Sequence, residues 1–206
     1  MLDDLDSPVQ RQMQTWLSTF DAEGVSVAGI LCDRHAENPE KTALLYEDAL
    51  GNRARYTFAQ LRDLSSRSAG ALKALGVTKG DRVATLLPKS PELLVTTLGL
   101  WRLGAAHVPL FTAFGPKAIT SRVENSQACV LVTDAANRHK VSSANTGSGA
   151  PQIVTITDEN GDIHDGDVAY LDALAQADPV MDPVLTCGDD LFILIYTSGT
   201  TGSPKG

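Results

Sequence analysis

Ten consecutive residues, Thr197-Ser198-Gly199-Thr200-Thr201-Gly202-Ser203-Pro204-Lys205-Gly206, gather five hydroxyls, three glycines and a lysine directly behind the apolar run 191–196. Glycines let backbone N–H groups approach a ligand closely, hydroxyls add donors that rotate, and a lysine offsets negative charge. The composition and its place behind a buried strand read as a polyphosphate cradle. It is not a Walker A loop: counted from Gly199, that pattern needs glycine at 204 and Ser or Thr at 206, where this chain has Pro204 and Gly206.

Other chemistries find less support. His35, His107, His139 and His164 are scattered, with no two at a spacing that shares a helix face, and read as packing or surface residues. No G-x-S-x-G elbow is present for a Ser-His-Asp hydrolase. The acidic stretch 158–167 (DENGDIHDGD) has Ile163 where a calcium loop needs glycine and Ala169 where it needs glutamate, so it reads as a solvated turn. Gly147-Ser148-Gly149 lacks the third glycine of a dinucleotide fingerprint. Cys32, Cys129 and Cys187 form no C-x-x-C pair, which argues against zinc or a disulfide framework.

At 206 residues with 43% hydrophobic side chains, the chain can fill a sizeable core. Its net charge of −8 has the wrong sign for a protein that neutralises nucleic-acid phosphates or an anionic membrane. The charge is uneven. Residues 1–140 carry 16 bases and 15 acids, whereas residues 141–206 carry ten acids and one base, Lys205, inside the Gly/Thr loop. No signal peptide or membrane-spanning run is visible, and a cytoplasmic location is expected.

The elements that must position the loop follow from periodicity. Ser7 and Pro8 open an amphipathic helix with Val9, Met13, Trp16, Leu17 and Phe20 on one face. A second stripe, Val27, Ile30, Leu31 and Arg34, ends at Asn38-Pro39. A hairpin is expected over 43–58, and Thr57 and Gln60 form a capping box for a helix that stops at Gly76. Strands at 82–87, 106–109, 129–133, 152–157 and 191–196 alternate with helices at 91–103, 117–125 and 168–176. That alternation predicts an α/β doubly wound, mostly parallel sheet with helices on both faces.

The segment Tyr196 to Gly206 (YTSGTTGSPKG) resembles the signature loop of the adenylate-forming superfamily, which contains acyl-CoA synthetases, peptide-synthetase adenylation domains and luciferases. Two weaker blocks agree in order and spacing. Tyr56-Thr57-Phe58-Ala59-Gln60-Leu61, with the later GVTKGDRV of 76–83, is similar to the family's early helix-and-strand block, and LWRLGAAHVPL of 100–110 resembles its next one. The FTAFGP stretch of 111–116 looks most like acid–CoA ligases of the acetate to medium-chain type.

The resemblance implies activation of a small-molecule carboxylic acid by ATP to an acyl-adenylate, followed by transfer to CoA, with Mg²⁺ assisting. Thr197, Ser198, Thr200, Thr201 and Ser203 would donate hydroxyls to the β- and γ-phosphates, Gly199 and Gly202 backbone N–H groups, and Lys205 charge, while Pro204 stiffens the exit. It also implies a division into a lead segment, 1–24, and a partial AMP-binding domain, 25–206. The family's Mg²⁺-binding glutamate, catalytic lysine and C-terminal small domain have no counterpart in these residues, so no catalytic or metal-binding residue is assigned. The expectation is an N-terminal fragment, inactive alone in acyl-adenylate formation. Two alternatives stay open, a non-catalytic nucleotide-binding or interaction module and a peptide-synthetase adenylation domain; the acid, the acceptor thiol and the oligomeric state stay open too.

Overall fold

The computed structural model describes residues 7–20, 24–141, 149–157, 161 and 163–197. Helix α1 (Pro8–Phe20) starts where predicted, with the Ser7 hydroxyl accepting from Gln10 N–H at 3.2 Å. Its apolar face does not turn inward: Val9, Met13, Trp16 and Leu17 are all exposed.

The second stripe folds differently from its prediction. It gives a short α2 (Val27–Leu31), a break at Cys32, then a 3-10 turn over Asp33–His35. The buried positions are Ala28 and Cys32, whereas Leu31 and Arg34 face outward. Small residues win here because α2 packs against the helix Pro91–Arg102 and the chain must then deliver Asp33 to Arg102. The hairpin β1 (Thr42–Glu47) and β2 (Arg53–Thr57) pairs antiparallel. Thr57 and Gln60 exchange both bonds of the capping box, at 2.8 and 3.2 Å, and launch α3 (Phe58–Ala74). Gly76, at φ +88°, ends the helical stretch in a conformation only glycine adopts easily.

The central sheet is wholly parallel, in the order β4-β3-β5-β6-β7. Its strands are β3 (Arg82–Leu86), β4 (Ala106–Pro109), β5 (Val130–Asp134), β6 (Gln152–Ile156) and the two-residue β7 (Val168–Ala169). Helix α4 (Pro91–Arg102) carries the chain from β3 to β4 on one face, and α5 (Pro116–Ser126) carries it back across β3 to β5 on the other. A short α6 (Ala135–Arg138) follows β5, and α7 (Tyr170–Gln176) follows β7. Alternate residues fill two cores. Val83, Val130, Val132 and Val154 meet Leu72, Leu100 and Tyr170 on the α3/α4 face. Ala84, Leu86, Val108 and Leu131 meet Ile119, Val123 and Tyr196 on the α5 face. The predicted doubly wound architecture is the one observed.

Two further predictions change. Residues 168–169 join β6 as a strand before the helix begins at Tyr170, because the preceding residue is pinned: Asp167 takes both oxygens to Arg138, at 2.6 and 2.9 Å, and accepts from Thr155 at 2.6 Å. Burial alone would raise the Asp167 carboxyl pKa, but these hydrogen bonds outweigh it and hold it below the usual carboxylate range. The end of the acidic stretch is thus a buried ion pair, not a solvated turn; residues 158–160 and 162 lie outside the described residues.

Arg102 is fully buried at the end of α4 and joins three segments. It bonds both carboxylate oxygens of Asp33, at 2.5 and 2.9 Å, and the Met181 carbonyl at 2.8 Å. Removing the carboxylate charge would leave a buried cation without its counter-ion, so Asp33→Asn should lower unfolding free energy by about 3 kcal/mol. Urea unfolding of the variant checks this; a loss within about 0.5 kcal/mol, the size of an ordinary surface change, would contradict it.

Candidate functional site

The segment entering the predicted cradle lies on the outer edge of β4. Residues 191–196 were expected to form an apolar strand, but among the described residues their pairing with β4 amounts to one parallel bridge, His107 to Ile193. His107 N–H donates to the Phe192 carbonyl at 2.9 Å, and the His107 carbonyl accepts from Leu194 N–H at 2.8 Å. The next donor along β4 would be residue 109, a proline, which has no N–H to give. Pairing stops there, and Leu191, Phe192 and Ile195 stay about half exposed.

Side chains replace the missing ladder. The Trp101 indole N–H donates to the same Phe192 carbonyl at 2.7 Å. The Tyr196 hydroxyl donates to Asn125 Oδ1 at 2.7 Å, while its ring lies in the core against α5. Arg122 sits between two rings, 4.3 Å from the centre of Phe114 and 5.7 Å from that of Tyr196. Burial pushes the Tyr196 hydroxyl above its usual pKa, which keeps it protonated and a donor at neutral pH.

His107 is buried on the α4 face, where its Nε2 lies 2.8 Å from Thr85 Oγ1. Burial lowers its pKa to about 4, so the ring is neutral at pH 7. The expectation of a packing histidine holds.

Because the bridge is parallel, the chain leaves Tyr196 at the carboxyl edge of the sheet, and Thr197 emerges there exposed. In open parallel sheets, ligands bind outside the carboxyl ends of strands, where neighbouring strands send their connections to opposite faces. Here β3 and β4 are such neighbours, their connections running through α4 on one face and α5 on the other. The connections leaving this edge carry Lys89, Lys117, Arg138 and Lys140; Arg138 is paired with Asp167, and Lys140 bridges the Thr112 carbonyl and Asn137 Oδ1 at 2.5 and 2.8 Å. The nearby Asp134 carboxylate caps α6 by accepting from Asn137 N–H at 2.8 Å.

Of the nine predicted cradle residues, Thr197 is placed by the structure; Ser198, Gly199, Thr200, Thr201, Gly202, Ser203, Pro204 and Lys205 lie outside the described residues. No group of His, Cys, Asp and Glu among the described residues is arranged to hold a metal ion. Trp101, Arg122 and Asn125 were not singled out from sequence. Trp101 and His107 do fall in the 100–110 block, which was noticed as a pattern without a reason for its residues.

Residues 32–206 match the AMP-binding enzyme family. The chain belongs to that family. Among relatives of this AMP-binding chain, acetyl-coenzyme A synthetase of Bacillus subtilis (strain 168) is 37% identical over 179 residues, covering 84% of this chain and 30% of that enzyme. The crystal structure of Brucella canis acyl-CoA synthetase superposes with a TM-score of 0.82 at 40% identity, over 89% of this chain and 33% of that one. That of the anthranilate CoA ligase AuaEII in complex with anthranoyl-AMP gives 0.76 at 25% identity, over 88% and 34%. The AMP-binding chain thus spans about a third or less of each relative. No helix among its described residues is long and apolar enough to cross a membrane.

The neutral, buried state of His107 has a pH signature. Its folded-state pKa of about 4 lies below the unfolded 6.5, so between these values the unfolded chain binds more protons. Stability should be full above pH 6.5 and fall by roughly 3 kcal/mol as pH drops toward 4. Urea unfolding across that range should show His107→Gln with a much shallower acid loss; an unchanged slope would contradict the assignment.

Proposed function

We propose that this chain is the nucleotide-binding part of an ATP-dependent acid–CoA ligase. The observation that carries the reading is the parallel seating of residues 191–196 on β4, which delivers Thr197 to the carboxyl edge of the sheet. The acetyl- and acyl-CoA synthetase relatives support the reaction class.

In the first half-reaction, a carboxylate oxygen attacks the α-phosphorus of ATP. The bond to the β-phosphate breaks, and pyrophosphate leaves. Thr197, Ser198, Thr200, Thr201 and Ser203 hold the departing phosphates by their hydroxyls, Gly199 and Gly202 by backbone N–H groups, and Lys205 by charge. Fixed donors aimed at the leaving group need no reorganisation as charge develops on it. Mg²⁺ bound with ATP would neutralise part of the same charge. In the second half-reaction, the sulfur of CoA attacks the acyl carbon and the C–O bond to AMP breaks.

Within this reading, residues 1–24 form a lead segment and 25–206 the AMP-binding region; the substrate is a small carboxylic acid of the acetate to medium-chain type, and the reaction takes place in the cytoplasm. Grafting residues 32–206 in place of the matching stretch of the Bacillus subtilis enzyme tests the assignment. The chimera should support acetate-dependent ATP–pyrophosphate exchange, and Lys205→Ala should lower kcat/KM for ATP about a hundredfold. A folded chimera without exchange, or with exchange indifferent to Lys205→Ala, would contradict it.

A further inference from the structure

An antiparallel bridge between Val25 and Thr186 draws the start of α2 onto the turn that precedes residues 191–196, with the Thr186 N–H donating to the Val25 carbonyl at 2.7 Å. Between that bridge, the end of α4 and the amino end of β4 lies a cavity of about 200 Å³. Val27, Ile30, Trp101, Leu191 and Phe192 form its apolar wall, and every residue lining it is among those described. Close-packed interiors leave few voids of this size, because an unfilled one forfeits dispersion contacts along its lining. A cavity of about 150 Å³ lined by aliphatic and aromatic side chains accepts benzene, so this one has room for a six-membered ring with one small substituent.

The lining also selects by chemistry. The Trp101 and Phe192 rings, 5.8 Å apart and inclined at 56°, give the wall aromatic surface. Asp190 is the charged residue of the lining. Its Oδ2 meets the Lys79 ammonium at 2.7 Å and accepts from the Cys187 N–H at 2.9 Å, while its Oδ1 accepts from no described residue. The hydrogen bonds from Lys79 and Cys187 hold the carboxyl below the usual carboxylate range, so it is an anionic acceptor at neutral pH. Lys79 itself is committed to Asp190 and to the Leu185 carbonyl, at 3.2 Å, and does not line the cavity. A ligand carboxylate would meet like charge here, whereas a hydroxyl would find an acceptor.

We propose that this cavity binds a small planar aromatic molecule with one neutral hydrogen-bond donor, of the phenol type, and that the bound molecule braces the seat of residues 191–196 on β4. The site is independent of the phosphate-loop reading. A ring against Trp101 and Phe192 lies beside the Phe192 carbonyl, which takes both the Trp101 indole N–H and the His107 N–H. Unseating the segment would dismantle the wall and release the ligand, so binding and seating are coupled.

Fluorine NMR titration of the 206-residue chain with para-fluorophenol, para-fluorotoluene and para-fluorobenzoate tests the site. The phenol should bind saturably and about tenfold or more tighter than the benzoate, with the toluene between them. Asp190→Asn, which keeps an acceptor and removes the charge, should bring phenol and benzoate within about threefold of each other. Val27→Phe should abolish binding by filling the cavity, and Ile30→Phe takes its place if that variant fails to fold. With the phenol at about ten times its Kd, amide exchange of His107 and Leu194 should slow about tenfold. The proposal is overturned by phenol binding that is not saturable or persists in a folded plugged variant, by benzoate binding as tight as phenol, by a preference that survives Asp190→Asn, or by amide exchange indifferent to the phenol.

Discussion

The carbonyl of Phe192 accepts two N–H groups at once, one from the backbone of His107 and one from the indole of Trp101. That double bond of donors to one oxygen fixes where the last described segment lies. Pro109 prevents β4 from pairing further, so among the described residues a single bridge to β4 stands where a ladder would normally run. The burden passes to side chains: His107 is tied to Thr85 across β3, Tyr196 to Asn125, and the Tyr196 ring is packed with Arg122 and Phe114. Apart from Phe114, which precedes α5, each of these anchors stands on the sheet or on α4 or α5, the two helices that flank it. The exit point of Thr197 is therefore set by the rigid part of the fold.

The same economy explains how the buried charges are distributed. Arg102 and Arg138 sit in ion pairs that join distant segments, one tying α4 to the turn after α2, the other tying α6 to the residue just before β7. Both are structural: their carboxylates occupy the guanidinium edges, leaving little for a ligand. Arg122 differs in having the Phe114 and Tyr196 rings where the others have carboxylates. The lysines on the connections after β3, β4 and β5 add positive charge to this edge, in a protein whose net charge is negative. The region where an anion would bind is set apart from the overall balance by placement, not by composition.

Much of the architecture was legible in the residues. The Thr57–Gln60 box, Ser90-Pro91 and the stop at Gly76 are local signals whose chemistry is complete within four residues, and each appears where expected. Alternation of apolar strands and helices was enough for the parallel sheet. What could not be read depends on partners far along the chain. Nothing near Asp167 announces Arg138, 29 positions earlier, so a buried ion pair looked like a solvated acid and β7 was hidden inside a helix pattern. Likewise Asp33 is drawn to Arg102, 69 positions away, which breaks the second helical stripe at Cys32. The final strand was overestimated because its apolar run says what it would like to pair with, not that β4 offers a proline. At the site, composition suggests the loop, but the residues that seat Tyr196 before it were invisible because their roles exist only across the β4 edge.

The central claim is that this seating delivers Thr197, the first residue of the proposed anion-binding loop, to the carboxyl edge of the parallel sheet. A crystal structure of the chain with inorganic pyrophosphate bound tests it most directly. The account predicts the anion beyond the carboxyl ends of β3 and β4, within hydrogen-bond distance of Thr197. Pyrophosphate bound at the opposite edge of the sheet, or on the hairpin and α1 side of the molecule, would contradict it.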